Sequence, residues 1–326
     1  YPAIAVSQAG PEWKNILISC GNKAGAQIGQ EYGFQEEVLP YQKNGWQVIR
    51  AWRHAMRVLS EKKVDILVST GGIETLPICV AAVMKRIPII LLEQNAIPGR
   101  ANRLLQYIAK KICVTYAESL PYFNHKKAIH SGNPVRIIYP ADPFEKALNE
   151  LLQTKRPKIL CFGGSQGAKA INAVMEELYP FYLKNNICLV HITGKNNQNQ
   201  LSIHKNDQGQ ATIMTVPYVE NMGNLYQHID LVIARAGATS ISELLMYQKP
   251  SILIPYPYAT NNHQVSNARP LVEEGLATMI MESNLNKNTL LSEIQVALNQ
   301  PSREWPRQPQ ASDVIKAEIE KLLTSS

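Results

Sequence analysis

Short, β-branched apolar runs alternate with helix-like patterns along almost the whole of this 326-residue chain, and that alternation limits its fold more than any other feature. In the first half NILISC (15–20), DILVST (65–70), IPIILLE (87–93), KICVTY (111–116) and AIHSG (128–132) read as strands, with helices between them around 46–60 and 76–85. In the second half the strands are KILCFGG (158–164), ICLVHITG (187–194), TIMTVPY (212–218), DLVIARAG (230–237), SILIPYP (251–257) and TMIME (278–282). Such alternation implies right-handed βαβ units and a parallel sheet covered on both faces. It happens twice, on either side of a segment (137–158) with three prolines and many charges that reads as a linker. The chain is also too long for one ordinary core. The expected fold class is therefore α/β, with two doubly wound, Rossmann-like domains facing a cleft. The domains are placed at 1–138 and 158–326, joined by a linker over 139–157, and the last helix is expected to pack back on the first domain. Ligands of such sheets bind beyond the carboxyl ends of the strands, so the loops that follow strands are where chemistry is sought.

The first residues, YPAIAV, read as the opening turns of a helix, because proline is favoured near a helix start. A net charge of +7 suits an anionic partner such as nucleotide phosphates, acidic lipid or nucleic acid, and is equally that of a plain basic protein. The five cysteines at 20, 79, 113, 161 and 188 form no CxxC pair and mostly sit in apolar runs, which points to buried thiols in a reducing compartment. The longest apolar stretch, ICVAAVMKRIPIILL, is interrupted by Lys85 and Arg86, so no membrane-spanning helix is expected. The Pro-rich stretch 299–310 reads as a loop before a last helix.

CFGGSQGAKAIN (161–172) is a strand, a Gly-rich turn and a helix start. Gly163, Gly164 and Gly167 permit tight turning and close backbone approach. Ser165 offers a hydroxyl, and the helix offers unpaired N–H groups, a geometry that suits a phosphate. The GK[ST] ending of a P-loop is absent. ARAGATSISELLMYQKP (234–250) repeats the pattern: Thr239 and Ser240 are placed to cap the helix or to bond a phosphate, and Glu243 to accept from a ribose diol or simply to favour a helix start. In PYPYATNNHQVSNA (255–268), Asn261, Asn262, His263, Gln264 and Asn267 concentrate uncharged donors and acceptors, as sugar hydroxyls require and as a polar surface turn also shows. LLEQNAIPGRANRLL (91–105) places Glu93, Gln94 and Asn95 at a strand end, and VSTGGIETLP (68–77) is a further Gly turn. In GWQVIRAWRHAMRVL (45–59), Arg50, Arg53, His54 and Arg57 share a helical face beside Trp46, Ile49, Trp52 and Met56, as in a helix lying on an anionic membrane or one with a solvated basic face. No His/Cys cluster has metal spacing. The five aspartates (65, 142, 207, 230 and 313) include no Asp-x-Asp pair, so no protein-bound metal at a diphosphate is expected.

Taken together, GGSQGA, RAGATSISE, HQVSNA, EQNxxPGxxNR and GNPVR (132–136) make the chain resemble the MurG-type glycosyltransferases over essentially its whole length. The resemblance implies the two-domain GT-B architecture, UDP-N-acetylglucosamine as donor, undecaprenyl-diphosphate-linked N-acetylmuramyl pentapeptide as acceptor, and no cofactor. It implies a peripheral place on the cytoplasmic face of the inner membrane, an anionic membrane surface as partner, and no nucleic acid. Carried over by position, it implies Ser165 at the donor phosphates and Arg136 on the donor. It puts the Val219 backbone on the uracil, and Ala238, Thr239, Ser240, Ile241, Ser242 and Glu243 around the nucleotide, with Glu243 on the ribose. It puts Gln264 with His263 on the sugar, and Asn95 on the donor from the first domain. Gly163, Gly164 and Gly167 shape the phosphate turn, and Trp46, Arg50, Trp52, Arg53 and Arg57 face the membrane. In this family a strand and a GGxGGH loop with the candidate base histidine precede a segment like YPAIAVSQ, so that base is expected upstream of Tyr1 and no catalytic residue is assigned within the chain. Leu92 stands where the family usually has histidine, and Leu76 where it usually has glycine, both expected on the acceptor side. The rival readings are a UDP-sugar epimerase of the same fold, an inactive membrane-associated remnant and, more distantly, a nicotinamide oxidoreductase.

Overall fold

The computed structural model describes residues 1–20, 32–40, 45–139, 144–195, 201–300, 305 and 310–324. The chain divides into two compact units, Tyr1–Ile138 with Gln308–Ser326, and Tyr139–Arg307.

The first unit holds six described strands: β1 (Ile16–Cys20), β2 (Gln35–Leu39), β3 (Leu67–Ser69), β4 (Ile89–Glu93), β5 (Lys111–Val114) and β6 (Ala128–His130). β1 pairs with β2, and the other strands form a sheet in the order β3-β4-β5-β6, parallel throughout. Side chains in a strand alternate between faces, and β4 shows both faces buried. Ile89 and Leu91 pack with Ala55 and Leu59 of helix Gly45–Glu61 and with Ala81 and Ala82 of helix Leu76–Met84. Ile90 and Leu92 pack on the other face with Val6 of helix Pro2–Ala9 and with Ile315 and Ile319 of helix Ala311–Thr324. The last helix is thus part of the first unit, fixed also by Lys316, whose Nζ donates to the Ala9 carbonyl at 3.0 Å and pairs with Glu12 at 2.8 Å. Leu92, expected on the acceptor side, instead fills this apolar cluster.

The second unit is a seven-stranded sheet: β7 (Lys158–Phe162), β8 (Cys188–Ile192), β9 (Ser202–Lys205), β10 (Ala211–Val216), β11 (Leu231–Ala234), β12 (Ser251–Leu253) and β13 (Ala277–Met279), in the order β13-β12-β11-β7-β8-β10-β9. All pairs are parallel except β9 with β10. β2 and β9 were not expected. Both lie at a sheet edge and read QEEVL and SIHK, too polar to show the continuous apolar run of a strand buried on both faces. The segment read as a linker, 139–157, contains helix Glu145–Leu152, whose Leu148, Leu151 and Leu152 are buried. Cys79, Cys113, Cys161 and Cys188 are free and buried, and burial pushes the Cys113 thiol up to about 12. The Cys20 side chain and most of the 299–310 stretch lie outside the described residues.

Candidate active site

In the second sheet the chain runs from β7 outward through β8 and β10 on one side, and from β11 outward through β12 and β13 on the other. β7 and β11 are neighbours, with Phe162 opposite Ala234. The strand order therefore reverses between them, and the loops leaving their carboxyl ends bound the crevice where such sheets bind ligands. Those loops are the two Gly-rich turns, 163–167 and 235–240.

The first turn closes with a 2.9 Å bond from the Gly167 N–H to the Gly164 carbonyl, and it delivers the chain into helix Lys169–Glu177. Ser165 is exposed at its tip. The second turn enters helix Ala238–Met246 directly from Gly237. Neither helix has a side-chain cap, although Thr239 and Ser240 were candidates for one. With no side-chain cap from the N-cap residue, both present first-turn N–H groups and a positive dipole end, which is the arrangement that binds an anion.

The sequence reading missed a third part of this site, the loop after β8. The Gly167 and Gly194 backbones touch: a Cβ added at Gly167 would lie 2.1 Å from the Thr193 carbonyl oxygen, and one at Gly194 would lie 2.3 Å from the Gly167 nitrogen. The Lys195 N–H donates to the Ser165 carbonyl at 3.0 Å, and the Gly194 N–H to that of Pro217 at 2.9 Å. Lys195 Nζ lies 3.9 Å over the Tyr218 ring and 3.8 Å from Glu220. These contacts tie the phosphate-like turn to the loop carrying Val219, which is buried. A glycine directly after the ICLVHIT run was the available signal, the same strand-then-glycine pattern as in the other loops.

Glu243 is buried in the second turn of its helix and accepts from the Tyr226 hydroxyl at 3.0 Å. Burial, then the Glu243 charge, push the Tyr226 hydroxyl far up, so it stays a donor. Gln264 Oε1 accepts from the Tyr256 N–H at 2.9 Å. His263 Nδ1 donates to the Thr260 carbonyl at 2.8 Å, as a carbonyl can only accept. Arg235 holds the same region: it donates to the Ile254 and Pro255 carbonyls at 3.2 and 3.1 Å and pairs with Glu282. Ala238, Ile241 and Ser242 lie along the helix, Ser242 donating to the Ala238 carbonyl at 2.9 Å. The Asn261 side chain lies outside the described residues.

Asn95 and Arg136 belong to the first unit and are engaged within it. Asn95 donates its backbone N–H and its amide to Glu93 Oε1 at 2.9 and 3.3 Å. The Arg136 guanidinium lies 3.8 Å over the Tyr1 ring and donates to the Tyr32 hydroxyl at 2.5 Å. On helix Gly45–Glu61, Trp46 is 82% exposed and Arg50, Arg53 and Arg57 are exposed, but Trp52 is half-buried against the apolar cluster beneath. Trp46 is therefore the exposed aromatic of that face; the neighbouring helix Leu76–Met84, which packs on helix Gly45–Glu61, also exposes Val80, Val83 and Met84. Among the described residues no helix is long and apolar enough to cross a membrane, and no group of three or more His, Cys, Asp or Glu is placed to hold a metal.

Residues 158–323 match the glycosyltransferase family 28 C-terminal domain, and residues 24–114 match the glycosyltransferase family 28 N-terminal domain. The chain is similar to the UDP-N-acetylglucosamine--N-acetylmuramyl-(pentapeptide) pyrophosphoryl-undecaprenol N-acetylglucosamine transferase of Thermodesulfovibrio yellowstonii, at 34% identity over 92% of this chain and 87% of the relative. The protein of the same name from Halothermothrix orenii is 35% identical over 93% of this chain and 88% of the relative. Among solved structures, Acinetobacter baumannii MurG superposes with a TM-score of 0.71 at 23% identity, covering 98% of this chain and 95% of that one. The UDP-N-acetylglucosamine 2-epimerase of Rickettsia bellii gives 0.62 at 12% identity, over 99% and 92%. At these identities the two solved structures bear on the fold alone.

Proposed function

This chain belongs to glycosyltransferase family 28, and from that premise we infer that it moves N-acetylglucosamine from UDP-N-acetylglucosamine to the lipid-linked N-acetylmuramyl pentapeptide of peptidoglycan synthesis. The observation that carries the donor half of this reading is the pair of uncapped helix N-termini at the β7/β11 reversal point. Each end carries roughly half a positive charge, and in a water-poor site that field acts on charge as it develops. The mechanism supported best is a single inverting displacement. The acceptor's 4-hydroxyl attacks the anomeric carbon as its proton passes to a general base, the C–O bond to the diphosphate breaks, and UDP departs with its growing charge facing the helix ends behind turns 163–167 and 235–240. Ser165 and the first turn take the diphosphate, Val219 the uracil, Glu243 the ribose diol, and Gln264 the sugar. The reading calls for no cofactor beyond the two substrates. An epimerase shares the fold, but the relatives of closely related sequence are transferases, which favours transfer.

The test is transfer of labelled N-acetylglucosamine from UDP-N-acetylglucosamine to a lipid-linked muramyl-pentapeptide analogue. Sugar isomerisation without acceptor would favour the epimerase, and UDP binding without turnover the remnant. Within that assay, Glu243→Ala is expected to raise the donor KM by about 10- to 100-fold, the worth of a charge-assisted hydrogen bond of about 1.5–3 kcal/mol, with little change in kcat. Tyr226→Phe removes one internal hydrogen bond to Glu243 and should leave the KM within a few-fold. An unchanged KM in Glu243→Ala would remove the ribose assignment.

We also propose that exposed Trp46 with Arg50, Arg53 and Arg57 docks on an anionic membrane. Basic residues near such a surface contribute about 1 kcal/mol each. Replacing the three arginines with glutamine should therefore weaken sedimentation with phosphatidylglycerol vesicles by about 100-fold and leave binding to neutral vesicles unchanged. Equal binding of both proteins to the acidic vesicles would remove the proposal.

A further inference from the structure

His191 is fully buried on β8, and its two ring nitrogens are both used. Nδ1 lies 2.8 Å from the Tyr179 hydroxyl, and Nε2 lies 3.1 Å from Asn172 Oδ1. Asn172 resolves the tautomer. Its Nδ2 donates to the Thr193 carbonyl at 2.9 Å, so the atom facing His191 is the acceptor oxygen, Nε2 carries the proton, and Nδ1 accepts from Tyr179. Every member of the row Tyr179–His191–Asn172–Thr193 has a partner of the right kind. A satisfied buried polar network of this sort fixes geometry where an apolar core would only fill space.

The row ends where the site begins. Asn172 lies in the first turn of helix Lys169–Glu177, its N–H bonded to the Ala168 carbonyl at 2.9 Å. The Thr193 carbonyl that it holds is the atom nearest to any Cβ added at Gly167, at 2.1 Å. Thr193 is pinned from behind by its own N–H and hydroxyl, which donate to the Val216 carbonyl at 2.9 and 3.3 Å. The helix that offers its N-terminus to an anion and the loop against which the turn rests are therefore joined directly through the Asn172 amide, and His191 fixes which way that amide faces.

We propose that His191 is a positioning residue for the turn that takes the donor's diphosphate, setting through Asn172 the placement of the Thr193 carbonyl against Gly167. The assignment rests on the reading of turn 163–167 as the diphosphate site. Burial lowers the His191 pKa to about 4, so the imidazole keeps the neutral form that the row requires at any working pH. The titratable groups around the row are Glu176, the Cys161 thiol and the Tyr182 hydroxyl, both kept neutral by burial, and His204, whose ring lies 5.3 Å from that of Tyr179.

The test compares UDP with uridine, which shares the base and ribose and lacks the phosphates, by calorimetric titration of the full chain. His191→Leu should weaken UDP about 10-fold and leave uridine within twofold. Asn172→Ala, a substitution in the opening turn of a helix where alanine is well tolerated, should give the same selective loss and decides the matter if His191→Leu does not fold. Gly194→Ala, which displaces the turn outright, separates the two layers of the argument. If it weakens UDP selectively while Asn172→Ala and any folded His191→Leu do not, the positioning role is wrong and the diphosphate site stands. If none of the variants changes the ratio of UDP to uridine affinity, the diphosphate reading itself is wrong. Equal loss of both ligands in Asn172→Ala would mark the row as general core support and overturn the proposal.

Discussion

Replacing Gly194 with alanine is expected to cut UDP affinity by at least 100-fold while the chain still folds. The new Cβ would stand 2.3 Å from the Gly167 nitrogen, 2.4 Å from the Gly167 Cα and 2.5 Å from the Gln166 carbonyl carbon. All three are backbone atoms, so no side-chain rotation relieves the overlap and the turn itself must move. Gly194 also has φ +104°, a conformation that residues with a Cβ rarely adopt. Conformational strain costs about 1–2 kcal/mol, and displacement of the turn raises the total destabilisation to about 2–4 kcal/mol. A 100-fold loss of affinity corresponds to about 2.7 kcal/mol, which is what a site built from fixed N–H groups loses when its donors shift from their aim. Gly209 supplies the comparison. It has φ +73° with nothing within 4 Å of an added Cβ, so Gly209→Ala carries strain without collision and should bind UDP normally. Titration of UDP into both variants, beside their thermal melts, makes the check. Wild-type UDP binding by Gly194→Ala would detach the turn from the ligand.

The second large effect is expected in the first unit, at Glu93. Its carboxylate is 2% exposed and accepts four hydrogen bonds: from the Asn95 N–H and amide at 2.9 and 3.3 Å, the Gly99 N–H at 3.2 Å and the Asn102 amide at 2.7 Å. Both oxygens are saturated, and the loop 94–99 is wound around them. Glu93→Gln keeps the shape and replaces one acceptor oxygen with an NH2 group that faces donors. The substitution should cost about 3–5 kcal/mol, because it removes charge-assisted bonds and leaves buried donors without partners. The measurement is a calorimetric scan in which the transition of the first unit falls by about 10 °C and that of the second stays in place. A melt within a degree of wild type would mean that water replaces the lost acceptor and that the loop does not depend on the carboxylate.

Much of this architecture is readable from the chain before any coordinates. The runs KILCF, CLVHI and LVIA are buried on both faces, and such strands announce themselves as continuous apolar segments whatever their neighbours do. The turns at 163–167 and 235–240 are equally legible, because glycine between a strand and a helix has few other uses. What stays hidden depends on tertiary partners. β2 and β9 are edge strands whose polar sequences become strands only by pairing with a neighbour. Leu148, Leu151 and Leu152 sit at helical spacing inside a charged, Pro-containing segment, and the composition of that segment masks a helix that the second unit buries. The sequence places Glu93 at a strand end beside Gln94 and Asn95, but that position alone does not show that its carboxylate holds the loop 94–99. Trp52 reads as a surface aromatic by helical angle, yet the ring is long enough to reach back over the core. The role of His191 lies in orientation, and spacing along a strand carries no information about which way an imidazole is bonded.

Helix Ala311–Thr324 carries a last consequence. It supplies Ile315 and Ile319 to the same cluster as Ile90 and Leu92, so the first unit draws its core from both ends of the covalent order. During synthesis at the ribosome, domains generally complete folding from the N-terminus onward. Here that order is inverted. The second unit, continuous over Tyr139–Arg307, has all its strands as soon as they emerge, while the first unit waits for a helix made after the second is finished. Until then one face of β4 and β5 has only the helix carrying Val6 over it, and the nascent chain leaves uncovered the part of that apolar face on which Ile315 and Ile319 close.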